Sequence, residues 1–219
     1  MMAQYATGIE TRDALIDAAG ELAAEIGFDN VSTRAVAERA GENIGSIHYH
    51  FGTKEKLFEA VIAVVSRKWK QRSIAMVLKE LEGELDRPEG QSRAIRAAVH
   101  HYLTLLFGHE RPAWHCRVTY QVMQCAGPLQ DLLLKEMVRP SHKAIIDLIR
   151  RIKPELSYRE AFVHVGVMTM PLAFHADFMP AVLRFIGTRG YSDAYLQTLE
   201  DVIVRQTQLS LGLPPDEAS

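Results

Sequence analysis

Apolar residues recur along this chain at the 3.6-residue spacing of amphipathic helices, and no stretch alternates with the period of two expected of a half-buried strand. Leu15, Ala19, Leu22 and Ile26 predict a helix over 11–26, closed by Gly27. Thr7 and Glu10 have capping-box spacing, which moves the predicted start to as early as Gly8. Asp13, Asp17, Glu21 and Glu25 fall on one side of this helix and read as a solvated acidic face. A second helix follows the N-cap Ser32 and stops at Gly41. A third follows the N-cap Asn43 to about Phe51, and Thr53 caps a fourth that runs from Lys54 into 66–81. Residues 83–92, GELDRPEGQS, are the clearest loop. Further helices are predicted over 93–107, 112–125, 128–152, 158–186 and 192–211. Pro112 and Pro128 suit first helical turns, and Ser157 with Glu160 forms a second capping-box pattern. Pro140, Pro171 and Pro180 fall inside helical patterns and should kink or interrupt them, and the tail 214–219 should fray. The pattern predicts an all-α fold: an N-terminal three-helix domain over 1–53 and a C-terminal helical domain over 54–219, joined by the helix 54–81.

Composition narrows the function classes. Of 219 residues, 47% are hydrophobic and 24% charged, which supports a folded core and excludes disorder as the main state. The apolar runs are too short to span a bilayer, and the first residues lack the basic-then-apolar order of a secretory signal, so no membrane partner is expected. Two cysteines, Cys116 and Cys125, do not make a disulfide framework, and a reducing cytoplasm is the expected setting. A net charge of −2 by itself points neither to nucleic acid nor to membrane. His100, His101, His109, His115, Cys116 and Cys125 lack CxxC or HExxH spacing, so no metal is expected. There is no GxSxG and no glycine-rich phosphate loop, so neither catalysis nor a cofactor is expected.

The informative segment is 33–51, TRAVAERAGENIGSIHYHF. Two short helices flank a tight turn at Gly41, the layout of a helix-turn-helix, whose second helix enters the DNA major groove. Val36 and Ala37 can pack on the first helix, and Ile47 and Phe51, one turn apart, can hold the recognition helix to the core. Ser46, His48, Tyr49 and His50 supply polar and aromatic groups on the remaining faces, and Gly45 allows close approach to the duplex. Lys54 and the backbone N–H groups opening the next helix can meet a phosphate.

From about Thr11 to Ile62 the chain resembles the DNA-binding domain of TetR-family transcriptional regulators. The resemblance is carried by ALIDAAGELAAEIGFDNVSTRAVAERAG and SIHYHFGTKEKLFEAV. It implies that Thr33 contacts a phosphate and that Arg34 reaches a base edge. Asn43, Ile44, Gly45, Ser46, His48, Tyr49 and His50 would fall on the turn and recognition helix. Tyr49 and His50 would lie near phosphates, Ile44 against the core or a thymine methyl, and Lys54 on a phosphate. Two features depart from the family's habit. Glu42 follows the turn glycine where a small apolar residue is common, and residues 1–70 hold eight Lys/Arg against ten Asp/Glu. The second feature predicts a modest salt dependence of DNA binding.

The resemblance further implies a C-terminal ligand-binding and dimerisation domain, with a homodimer formed through 158–186 and 192–211. The face Val163, Val167, Met170 and Phe174 has the spacing for that interface or for the core. A ligand cavity is implied among Trp114, His115, Tyr120, Met123, Met137, His164, Met168, Phe174, His175 and Phe178, residues that suit an adaptable apolar pocket. The segments Pro112-Ala113-Trp114 and 136–140 bear a looser resemblance to the branch with a CecR-type C-terminal domain. The expected function is that of a ligand-responsive repressor which binds a palindromic double-stranded operator as a dimer and answers to a small-molecule effector. The alternative, favoured by Glu42, is a dimeric small-molecule-binding protein with degraded DNA reading.

Overall fold

The computed structural model describes residues 2–108, 112 and 114–216, except for the side chains of 2–7 and 68. The Thr7 side chain of the first capping box, His109, Ala113 and the tail residues 217–219 lie outside the described residues. Among the described residues there is no strand. The helices are α1 (Met2–Ile26), α2 (Thr33–Ala40), α3 (Ile44–Phe51), α4 (Lys54–Gln71), α5 (Ile74–Glu80), α6 (Pro88–Phe107), α7 (Trp114–Gln124), α8 (Pro128–Leu133), α9 (Arg139–Ile152), α10 (Tyr158–Asp177), α11 (Met179–Ile186) and α12 (Asp193–Leu211).

These helices form two compact units, one of 1–68 with 111–137, the other of 69–110 with 138–219. The grouping does not follow the 1–53/54–219 division, because α7 and α8 fall with the N-terminal helices. In the first unit, α1 packs on α2, α3 and α7. Its residues Leu15, Ile16, Ala19 and Ala23 are wholly or almost wholly buried. Gly20 is required by close approach: a Cβ there would sit 2.6 Å from the Trp114 ring.

In the second unit, α6 packs on α5, α10 and α12, while α9 packs on α5 and α10. Ile95, Ala98, Val99, Ile145, Ile149, Val165, Met168 and Val204 fill its core. The segment after α12 is fastened down rather than frayed as far as it is described. Ser92 Oγ donates to the Pro214 carbonyl, and Asp216 accepts from Arg96 and, at 2.7 Å, from Gln208. Burial alone would raise the Asp216 carboxyl, but the hydrogen bonds from Arg96 and Gln208 bring it below the usual carboxylate range.

Several boundaries differ from the sequence reading, each for a local reason. The predicted helix 54–81 is two helices, because Ser73 starts a new one by accepting from the Met76 N–H. The predicted loop 83–92 is mostly ordered as a short 3₁₀ turn, Glu82–Glu84, and the first turn of α6, which opens on Pro88. Gly90 is there for contact, since its Cβ would lie 2.0 Å from the Glu84 carbonyl oxygen. The predicted helix 158–186 bends by 81° between α10 and α11, where Pro180 follows the break, while Pro171 sits inside an uninterrupted α10. Pro140 lies in the first turn of α9, directly after a π-helical turn, Leu134–Val138. The first helix starts at Met2, earlier than the capping pattern predicted.

Candidate nucleic-acid interface

The helix-turn-helix is assembled from local signals. Ser32 Oγ accepts from the Ala35 N–H at 3.1 Å and starts α2. Gly41 ends it with φ +70°, a left-handed conformation that a side chain would strain. The Gly41 N–H donates to the Glu38 carbonyl, and that of Glu42 reaches back to Ala37. Asn43 Oδ1 then accepts from the Ser46 N–H at 3.1 Å and starts α3. Only Ile47 of α3 is buried; it reaches 0% exposure and anchors the helix to the core. Glu42 therefore leaves the turn undisturbed.

One face of α3 stays open. Tyr49 is 86% exposed and Ile44 47% exposed, so neither is spent on the core. Asn43, Gly45 and His48 are exposed, while Ser46 and His50 are half-buried. Asn43 is also the cap of its own helix, and Thr33 is the half-buried first residue of α2. The His48 ring lies 3.2 Å from the Gly52 carbonyl, and Tyr49 meets the His50 ring edge-on at 4.9 Å between centroids.

The cations divide into two groups. Arg39 forks onto Glu25 with both contacts at 3.0 Å and also meets Glu21. The hydrogen bond to Glu25 raises the Arg39 guanidinium above its ordinary range, and the hydrogen bond from Arg39 lowers the Glu25 carboxyl. Lys56 pairs with Glu59 at 2.7 Å, and Arg12 lies 3.7 Å from Asp13 and over the Phe51 ring. Arg34 is exposed, and among the described residues no carboxylate pairs with it. Lys54 likewise forms no ion pair there, although its charge acts on the adjacent Glu55 carboxyl; its Nζ lies 5.6 Å above the Phe58 ring and donates to the Asp29 carbonyl at 3.4 Å. The acidic face of α1 thus absorbs Arg39 and leaves Arg34 and Lys54 available to an anion.

The sequence model for bacterial regulatory proteins of the tetR family matches residues 15–61. Residues 15–61 thus resemble the N-terminal domain of that family. The match ends within α4, so it takes in all of α2 and α3. A search of curated proteins finds no significant match. Solved structures share the fold at low identity. The chain is similar to AibR, described in complex with isovaleryl coenzyme A and operator DNA, at a TM-score of 0.65 and 12% identity, over 90% of this chain and 97% of that one. It is similar to a transcriptional regulator from Rhodococcus sp. Rha1 at 0.57 and 23%, over 93% and 99%. It is similar to HlyIIR, a hemolysin II transcriptional regulator, at 0.58 and 14%, over 89% and 97%.

The ten pocket candidates divide between the two units. In the first unit, Trp114, His115 and Met137 are buried, Met123 is exposed, and Tyr120 lines a cavity of about 390 Å³. Phe28, Asn30, Gln121, Cys125 and Leu129 also line it, and none of these was a candidate. Phe28 and Asn30 form a short 3₁₀ turn after Gly27 whose role no sequence motif signalled. In the second unit Met168 is core, whereas Phe174 and Phe178 are exposed. The His175 ring contacts the Pro171 carbonyl and the Tyr195 hydroxyl, and His164 lies 3.4 Å from Ser210.

Proposed function

We propose that the protein is a sequence-specific DNA-binding transcriptional regulator, a ligand-responsive repressor that binds a palindromic operator as a dimer. The observation that carries this reading is the separation of cations over residues 15–61 and their flanks: Arg39, Arg12 and Lys56 form ion pairs with carboxylates, while Arg34 and Lys54 form none among the described residues. Arg34 is suited to a base edge, where a guanidinium forks onto guanine, and Lys54 to a phosphate. Thr33, Tyr49 and His50 add contacts to the backbone, and Ile44 meets a thymine methyl.

The dimer reading rests on α10, which is apolar on two sides. Ala161, Val165, Met168 and Leu172 are buried within the unit, while Val163, Val167, Met170 and Phe174, at the same spacing two residues on, are exposed. A helix apolar all round is buried all round. The second face continues at Phe178, Met179 and Phe185, the last 92% exposed, and Val202 and Leu209 of α12 are also open. A second copy seated on α10, α11 and α12 covers these groups. Among the described residues no single helix is long and apolar enough to cross a membrane.

The effector is a small molecule that favours a dimer whose recognition helices are mis-spaced for the operator, which requires it to bind that state more tightly. AibR, described with both a coenzyme A thioester and operator DNA, has the same fold and supports a ligand-linked reading. The test is selection of sheared genomic DNA by the purified protein. A shared palindrome with half-sites about one helical turn apart is expected. No enrichment at low salt would overturn the regulator reading in favour of a dimeric ligand-binding protein without DNA reading.

A further inference from the structure

Glu42 lies in the turn between α2 and α3, and its carboxylate meets two hydroxyls. Thr11 Oγ1 on α1 donates to Glu42 Oε1 at 2.9 Å, and Ser46 Oγ on α3 donates to Glu42 Oε2 at 3.3 Å. Both contacts are part-buried, so the carboxylate bridges the first helix and the first turn of the recognition helix. An ionised carboxylate only accepts, so each hydroxyl spends its single proton on it.

This fixes what Ser46 has left to offer. A hydroxyl carries one proton and two lone pairs, so Ser46 faces any further partner as an acceptor. A phosphate oxygen, itself only an acceptor, finds no donor there and meets the negative charge of Glu42 besides. The O6 and N7 of guanine and the O4 of thymine are excluded in the same way. The groove-facing donors that remain are the amino groups of cytosine and adenine.

We infer that Glu42 is a specificity-determining residue: it polarises Ser46 so that the pair reads a cytosine or adenine amino group and rejects guanine, thymine and the phosphate backbone. The inference rests on the DNA-binding reading proposed above. Replacing the carboxylate changes the logic of the site. In Glu42→Gln the amide has one acceptor oxygen and one donor nitrogen, so it cannot accept from Thr11 and Ser46 through separate atoms. In Glu42→Ala both hydroxyl protons are released. Glu42→Ala frees Ser46 to donate, whereas the Gln oxygen can still accept from Ser46 while its amide nitrogen donates to Thr11; both changes remove a negative charge from beside the duplex.

The experiment is selection from a randomised duplex library by the wild type, Glu42→Gln, Glu42→Ala and Ser46→Ala, with affinity for random-sequence DNA measured alongside. The wild type is expected to prefer cytosine or adenine at one symmetry-related position by roughly two- to ten-fold, the range of one net hydrogen bond. That preference should fall away in Glu42→Ala and Ser46→Ala, and affinity for random DNA should rise only in the two Glu42 variants, which lose the charge. Ser46→Ala keeps the Thr11–Glu42 bridge, so it tests the inference even if a Glu42 variant folds poorly. An unchanged base profile in Glu42→Ala overturns the inference and leaves the regulator reading intact. So does a preference retained by Ser46→Ala. A wild type that selects no motif overturns the regulator reading and the inference with it.

Discussion

For the proposed regulator, the salt dependence of operator binding follows from which cations form no ion pair within the protein. Each cation that displaces a condensed counterion from duplex DNA contributes about −0.9 to the slope of log K against log salt. Residues 1–70 hold eight Lys/Arg, but Arg12, Arg39 and Lys56 are held by carboxylates within their own unit. Arg67, Lys68 and Lys70 lie about 20 Å or more further along α4 than Lys54, at roughly 1.5 Å rise per residue. Arg34 and Lys54 remain, so a dimer brings about four cations and a slope of about −3.6. If Arg34 is spent on a base and releases little, the slope falls to about −1.8. Between 50 and 200 mM salt the affinity then drops by about 10- to 150-fold, against the ~10³–10⁵-fold of proteins with six to ten phosphate contacts. Hydrogen bonds from Thr33, Tyr49 and helix N–H groups add affinity without adding to the slope. The assay is fluorescence anisotropy of a labelled operator over a salt series, for the wild type and Lys54→Ala. Lys54→Ala should make the slope shallower by about 1.8, because each dimer loses two copies of the residue. A wild-type slope of about −6 or steeper would show that the paired arginines open toward DNA, or that other cations reach it, and would refute this account.

Arg34→Ala should relax the preference at one base position and cost about 5- to 150-fold in affinity for the selected site, whereas Arg39→Ala should leave the base profile unchanged. Selection with each variant checks this, and identical profile changes in the two would refute the division of cations. Gly20→Ala places a methyl 2.6 Å from the Trp114 ring, and the clash should outweigh the gain in helix propensity by about 1–2 kcal/mol. The expected fall in Tm is roughly 2–8 °C by thermal melt, and a rise would refute it. Burial raises the Asp177 carboxyl from 3.8 to about 6, so the folded protein holds that proton more tightly than the unfolded chain. The charged carboxylate therefore weakens the fold as pH climbs through that window, by on the order of 1 kcal/mol once its partial exposure is discounted. Asp177→Asn should gain Tm over the wild type at pH 7 and lose that advantage at pH 4, and an equal difference at both values would count against it.

What the sequence made legible is what short-range chemistry decides. Ser32, Gly41 and Asn43 each act on residues within three or four positions, through a side-chain cap or a left-handed turn, and the structure has α2 and α3 where those signals fall. Ser73 has the same kind of signal but stands in a stretch of continuous helical periodicity, and the periodicity masked it. Gly90 shows the opposite error. With Pro88 and Asp86 around it the residue reads as a loop, yet it lies in a helix, small because the Glu84 carbonyl presses against it. A glycine chosen for contact and one chosen for conformation look identical in a sequence. The pairing of Arg39 with Glu25 was equally hidden, since two residues on different helices have no common period.

The same limit explains α10. Its two apolar rows have one spacing and differ only by an offset of two residues, close to half a helical turn. Periodicity therefore marks both for burial and does not tell which of them the chain itself covers and which a partner would. The fold separates them: Met168, Val165 and Leu172 are closed off by their own unit, and Met170, Val167 and Phe174 are not. The identity of what covers the open row then becomes a question of symmetry rather than hydrophobicity. A half-site reader gains specificity by doubling. A two-fold interface made from one patch doubles it without a second kind of chain. In the proposed regulator, the open row and the unpaired charges of Arg34 and Lys54 would be served by the same second copy.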